Sequence, residues 1–159
     1  MNSNLNKFLI GFGFLFVLVV AFALSQNYLQ DLPFSPKTPK AIINNQTFNL
    51  FLAKTDKERR VGLSEKKSLA ENSGMLFVFG KPDYYSFWMK KMQFPIDIIF
   101  IKENKIVTIY TDLKPPQTTK ESLPIYKPDE PADMVLEINA GLVQKYNLKK
   151  GDLVKLENL

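Results

Sequence analysis

An unbroken apolar run near the amino terminus decides how much of this chain is available to fold as a globular domain. Phe8 to Leu24 is 17 consecutive residues drawn from Phe, Leu, Ile, Val, Ala and Gly, and no charge occurs between Lys7 and Asp31. As a helix the run spans about 25 Å, a little short of a hydrocarbon core of about 30 Å. Two readings follow. A single transmembrane anchor runs from Phe8 to about Leu29, with Ser25, Gln26 and Asn27 near the outer interface and Tyr28 as an interfacial aromatic. A signal peptide instead uses Phe8–Val20 as its apolar region and Ala21-Phe22-Ala23 as a small-x-small cleavage site, with Ala23-Leu24-Ser25 as a second. Either way residues 1–29 stand apart. The remainder is expected outside the cytoplasm, membrane-anchored or secreted after cleavage near Ala23. Gln30 to Lys40 carries Pro33, Pro36 and Pro39, a spacing that favours an extended, semi-rigid linker over residues 30–40. The folding domain is therefore expected over residues 41–159.

That domain must be held by packing alone. The 159-residue chain has no Cys and no His. Without Cys there is no disulfide, thiolate nucleophile, cysteine-ligated zinc or iron–sulfur cluster. Without His there is no Ser-His-Asp triad, no histidine metal site and no ordinary general base near neutral pH. No metal and no cofactor are expected, and no G-x-G-x-x-G, Walker or H-E-x-x-H motif occurs. The 13 Phe and 6 Tyr in a chain that is 45% hydrophobic supply enough apolar surface for a core without staples. The net charge is +5, yet from Ala41 onward 18 basic residues meet 15 acidic ones, interleaved as in Lys57-Glu58-Arg59-Arg60. A nucleic-acid surface would be a stripe of one sign, so no nucleic-acid partner is expected.

Within the domain the apolar pattern is that of short strands. Ala41–Asn44 and Thr47–Ala53 read as a hairpin across Asn45-Gln46, with Phe48, Leu50 and Leu52 alternating with Thr47, Asn49 and Phe51. Thr55-Asp56-Lys57-Glu58 is a capping box that opens a short helix to about Gly62. Leu63–Asn72 is irregular. Met75–Phe79 and Ile96–Ile101 are continuous apolar runs of strand length, and Tyr84–Met89 is aromatic and strand-like. Glu103-Asn104 turns the chain into a strand over Ile106–Thr111. Lys114–Ala132 contains five prolines, so it reads as a long loop, either a plain surface excursion or a binding loop. Asp133–Ile138 is a strand, Ala140–Tyr146 a short helix and Leu153–Leu156 the last strand. The expected fold is mostly β (α+β), a small β-barrel or sandwich-like domain of about seven or eight strands with two short helices.

Gly74-Met-Leu-Phe-Val-Phe79, Phe87-Trp-Met-Lys90, Pro95-Ile-Asp97, Val135-Leu-Glu137 and Asn139-Ala-Gly141 stand in an order and spacing that resemble the DUF192 (UPF0127) family. The likeness runs from about Ala41 to Leu156. It implies a small, mostly β fold, often exported behind a signal or anchor, and it implies no activity. The chain departs from the family at Gly62-Leu63-Ser64, where the family reads Gly-Leu-Met. It departs again at Trp88-Met89-Lys90-Lys91-Met92, where the family reads Trp-Met-Lys-Asn-Thr.

Five residues stand out as a candidate ligand pocket: Arg59, Trp88, Lys90, Asp97 and Glu137. Asp97 shares a face with Ile99 and Ile101 by period two. A carboxylate on an apolar face needs backbone donors or a cation, and Lys90 and Arg59 are the cations within the family-like stretches. Glu137 alternates with Val135 and Asn139; facing Asp97, it would complete a carboxylate pair of the glycosidase kind. Trp88 is the sole tryptophan and sits among Tyr84, Tyr85 and Phe87, either as core or as a stacking platform. Met89 and Met92 read as core filler. No catalytic set assembles from these residues. The expected function is a binding or accessory module of the cell envelope, tethered to the membrane by its N-terminal segment or secreted. Its partner is an envelope ligand or a membrane protein. The alternatives are an envelope hydrolase using Asp97 and Glu137, or a structural partner of a membrane complex.

Overall fold

The computed structural model describes Val20, Phe22 and residues 37–118 and 122–159. The chain divides into two units, Met1–Lys37 and Thr38–Leu159. In the first, Val20 and Phe22 are helical. The expected anchor or signal otherwise lies outside the described residues, as does most of the linker. Among the described residues no helix is long and apolar enough to cross a membrane.

Among the described residues the second unit holds seven strands, β1 (Lys40–Ile43), β2 (Gln46–Ala53), β3 (Ser73–Asp83), β4 (Ile96–Lys102), β5 (Lys105–Leu113), β6 (Ala132–Asn139) and β7 (Lys155–Glu157), with short helices α1 (Asp56–Val61) and α2 (Leu142–Lys145). Two hairpins start from residues that tolerate left-handed backbone. Asn44 and Asn45 adopt φ 48° and 64° between β1 and β2, and Glu103 and Asn104 adopt 49° and 61° between β4 and β5. Paired positive φ values match the right-handed twist of the flanking strands. The first turn therefore sits on Asn44-Asn45 rather than Asn45-Gln46, because Asn enters that region more readily than Gln. Helix α1 begins where its capping box predicts: Glu58 N donates to Thr55 Oγ1 at 3.2 Å, and Thr55 N donates to Glu58 Oε2 at 2.8 Å.

The strands form one sheet in the order β5-β4-β6-β3-β2-β1-β7. Strands β2 and β3 run parallel, as a crossover through α1 requires. The sheet curls so far that its two ends meet. Lys105 bridges Leu153, Ile106 N donates to Asp152 O at 3.0 Å, and Val154 N donates to Asn104 O at 2.8 Å. Contact between the ends is this short, so the architecture is a curled half-barrel, mostly β with two short helices. Tyr84–Met89 is not a strand. Only Phe87 pairs, with Tyr126; its aromatic content signals burial against a sheet face rather than a place in a ladder.

Two cores result, one on each face. Inside the curl lie Ile43, Phe48, Leu76, Ile99, Leu136 and Ile138, closed over by Leu142 and Val143 of α2. On the outer face, Phe77, Ile98, Phe100 and Val135 pack against Leu63, Leu69, Met89 and Met92 from the connecting segments. Burying each large side chain of this kind contributes about 1.5–3 kcal/mol. Side chains pin the irregular segments to the sheet. Asn139 Nδ2 donates to Leu69 O at 2.9 Å, and Tyr110 Oη donates to Lys127 O at 2.7 Å.

Gly74 of β3 packs tightly against β6. A Cβ there would stand 2.9 Å from Leu136 Cδ1 and 3.0 Å from Glu137 O. Gly74→Ala is therefore expected to lower stability by about 1–3 kcal/mol through overpacking. Urea unfolding tests this, and an unchanged midpoint would show that the two strands part without cost.

Candidate functional site

A cleft of about 270 Å³ opens on the outer face of the sheet, lined by α1 and the residues after it, by β3, by the segment 85–92 and by Glu137 of β6. Period two puts Phe77 and Phe79 on the same face of β3, where they form one wall. Phe87 meets Phe77 edge-on at 5.0 Å, and Tyr85 stacks on Phe79 at 3.6 Å with rings 13° apart. Tyr85 Oη donates to Lys81 O at 2.8 Å. Burial and the neighbouring Asp83 push its phenol above the usual range. Gly62 ends α1 at φ 51° and ψ −136°. That is glycine backbone, and it lets the chain turn past the Phe77 ring, which lies 3.2 Å from where a Cβ would be.

Of the five residues singled out in the sequence, Arg59, Trp88, Lys90 and Glu137 line this cleft and Asp97 does not. Arg59 is fully engaged. Its Nη1 donates to Lys54 O at 2.6 Å and Val78 O at 2.7 Å, its Nη2 pairs with Asp56 at 2.5 Å, and its guanidinium lies 5.1 Å from the Phe79 ring centre. It is a strut joining α1 to β3. Trp88 is 54% exposed, so its indole belongs to the mouth and not the core. Lys90 Nζ lies 5.8 Å from that ring. Met89 and Met92 are buried filler on the outer face.

Glu137 is the unusual group. It is only 5% exposed, on an apolar face opposite Met75 and Ile98, and no hydrogen bond or ion pair reaches its carboxyl among the described residues. Burial pushes its pKa up to about 8. At neutral pH the cleft floor therefore carries a neutral carboxylic acid, which is a hydrogen-bond donor as well as an acceptor.

Asp97 lies on the other face. Strand β4 pairs Ile98 with Glu137 and Asp97 with Ile138, and directly opposed residues share a face. Asp97 thus points into the curl while Glu137 points out of it, so the two cannot act as a carboxylate pair on one substrate. Neither Lys90 nor Arg59 serves Asp97. Its Oδ1 accepts from Asp112 N at 2.8 Å and its Oδ2 from Val143 N at 2.9 Å. Asp112 sits at φ 55° in a bulge of β5 opposite Asp97, where the ladder leaves an amide unpaired. The carboxylate supplies that missing acceptor and binds the first turn of α2.

Sequence reasoning did not assign Phe77, Phe79, Arg60 and Ser86 to the site. The period-two alignment of Phe77 and Phe79 was available as a signal. Nothing local marks Arg60 or Ser86, which join the cleft only because α1 and the segment 85–92 fold over the same strand.

The DUF192 family, described as "Uncharacterized ACR", matches residues 40–156. Two solved structures are similar. A protein of unknown function from Novosphingobium aromaticivorans is 30% identical, with a TM-score of 0.64, over 73% of this chain and 83% of that one. A candidate transcription regulator from Sinorhizobium meliloti is 29% identical, with a TM-score of 0.68, over 79% of this chain and 98% of that one. No curated protein matches the chain.

Proposed function

The chain belongs to the DUF192 family, and from that premise we propose that it is a small-ligand-binding module acting outside the cytoplasm, with the outer-face cleft as its binding site. The observation that carries the reading is Glu137, a carboxyl with no partner among the described residues at the floor of an aromatic cleft. A ligand seated in the cleft can hydrogen-bond to this carboxyl, which both donates and accepts while it is neutral. The exposed Trp88 at the mouth and the phenyl walls beneath offer stacking surfaces. The apolar run Phe8–Leu24 and the prolines at 33, 36 and 39 support a place at the outer membrane–water boundary or release beyond it. Membrane contact through that segment is part of the same proposal. A hydrolase using Asp97 with Glu137 is not supported, because the two carboxyls serve opposite faces of the sheet.

Native mass spectrometry of the full chain, after incubation with an extract of its own cell envelope, tests the binding reading. A discrete added mass is expected. Trp88→Ala should weaken the retrieved ligand about tenfold, the loss of one good aromatic contact. It should change the unfolding free energy by less than about 0.5 kcal/mol, because the indole is largely solvated. Absence of any adduct on a folded chain would count against the module, and retention of affinity in the variant would move the ligand away from the mouth.

A further inference from the structure

The charges around the cleft are unequal at its two depths. At the mouth stand Asp56, Arg59, Arg60 and Lys90. Asp56 is neutralised by Arg59. Arg60 and Lys90 make no ion pair with any described carboxylate, and Lys90 rests only on the Trp88 ring. Both are solvent-exposed, as befits cations without partners. Below them the lining is Leu63, Phe77 and Met92, all buried, with the Glu137 carboxyl among them. The opening therefore has net positive charge, and the fully buried part of the lining is apolar apart from the Glu137 carboxyl.

We propose that the cleft binds an organic oxyanion, its charged head between Arg60 and Lys90 at the mouth and a planar apolar body inside, reaching toward Glu137. This rests on the reading of the cleft as a ligand site. Cations along the lining match an oxyanion head, and the Arg60 guanidinium can do so through two parallel N–H donors. A cationic ligand would meet Arg59, Arg60 and Lys90 against Asp56 alone. A volume of about 270 Å³ lies at the lower edge of small-molecule sites, which sizes the body to one or two rings. The titratable and charged groups lining the cleft around Glu137 are Asp56, Arg59 and Arg60 from α1, and Tyr85 and Lys90 from the segment 85–92. Its strand neighbours Met75 and Ile98 add none. With Glu137 neutral the cleft retains its positive balance. Once Glu137 ionises, its charge opposes the head and places an anion beside the ligand's apolar end.

Isothermal titration of the full chain with 2-naphthoate, 2-naphthamide and 2-naphthylmethylamine separates the possibilities. At pH 6.5 naphthoate should bind at least about tenfold more tightly than the amide, and the amine most weakly. Arg60→Gln and Lys90→Gln should each weaken naphthoate roughly three- to tenfold and leave the amide unchanged. Moving from pH 6.5 to pH 9 should weaken naphthoate at least about threefold, and Glu137→Gln should abolish that change. If the amide or the amine binds as well as naphthoate, the oxyanion class is overturned while the ligand site stands. If none of the three binds to a folded chain, the oxyanion class and the ligand site fall together.

Discussion

Asp97→Ala should lower the unfolding free energy by about 3–5 kcal/mol. The carboxylate is fully buried, and it accepts from two main-chain amides that have no other use. One belongs to Asp112, held at φ 55° in the bulge of β5; the other belongs to Val143 in the first turn of α2. Removing the side chain strands both donors in an apolar interior, at about 1–3 kcal/mol each. It also opens a void among Ile99, Ile138 and their neighbours, which adds to the loss. Asp97→Asn keeps one acceptor oxygen and should lose about half as much. Urea unfolding of the three proteins measures the series. A value for Asp97→Ala within 1 kcal/mol of the parent would mean that the two amides find water, and the role assigned to Asp97 would fall. Ligand affinity should be unaltered wherever the variant is folded, because Asp97 serves the inner core and not the cleft.

Glu137→Gln should act in the opposite direction and only over a defined range of pH. In the unfolded chain the carboxyl titrates near 4.5, and in the folded protein burial pushes it to about 8. Below about 4.5 both states hold the proton and pH has no effect through this group. Between those values the folded state holds a proton that the unfolded state has released, so stability falls as pH rises, by about 1.4 kcal/mol per unit. The stability that neutral Glu137 allows is complete below about 4.5 and gone by about pH 8. Glutamine has nearly the same shape and does not titrate. From pH 5 to pH 8 the variant should therefore gain about 4 kcal/mol relative to the parent, and the two should be alike near pH 4.5. Urea midpoints at pH 5, 6, 7 and 8 check this. Parallel stability curves would show that Glu137 meets water or a cation and is not the unpaired acid that the cleft reading requires.

The sequence was legible where interactions are short in range. Thr55 and Glu58 announce α1 because a capping box closes within four residues. Glu103-Asn104 announces its hairpin because turn geometry depends on those two residues. Asp97 was legible as a carboxylate on an apolar face, and backbone donors were one of the two solutions open to it. Which donors could not be read, because Asp112 and Val143 are 15 and 46 residues away. Tyr84–Met89 misled for a related reason. Aromatic density reports how apolar a segment is, and a loop packed on a sheet face needs that as much as a strand does.

By itself the sequence determined that this is a mostly β domain of the DUF192 kind, beginning after an apolar run and a proline-spaced stretch, without cysteine or histidine chemistry. Those conclusions rest on composition, on period and on turns, which act between near neighbours. The tertiary structure alone decided the relation of Asp97 to Glu137. Each side chain's alternation along its own strand was readable. Whether the two strands are adjacent, and in which register, depended on the order β4-β6-β3. That order is set by many weak contacts summed over the whole curled sheet. The same closure buried Glu137 and left Arg60 and Lys90 exposed on the lining of the same cleft, and so turned scattered residues into a cleft with a charged opening and an acid at its floor.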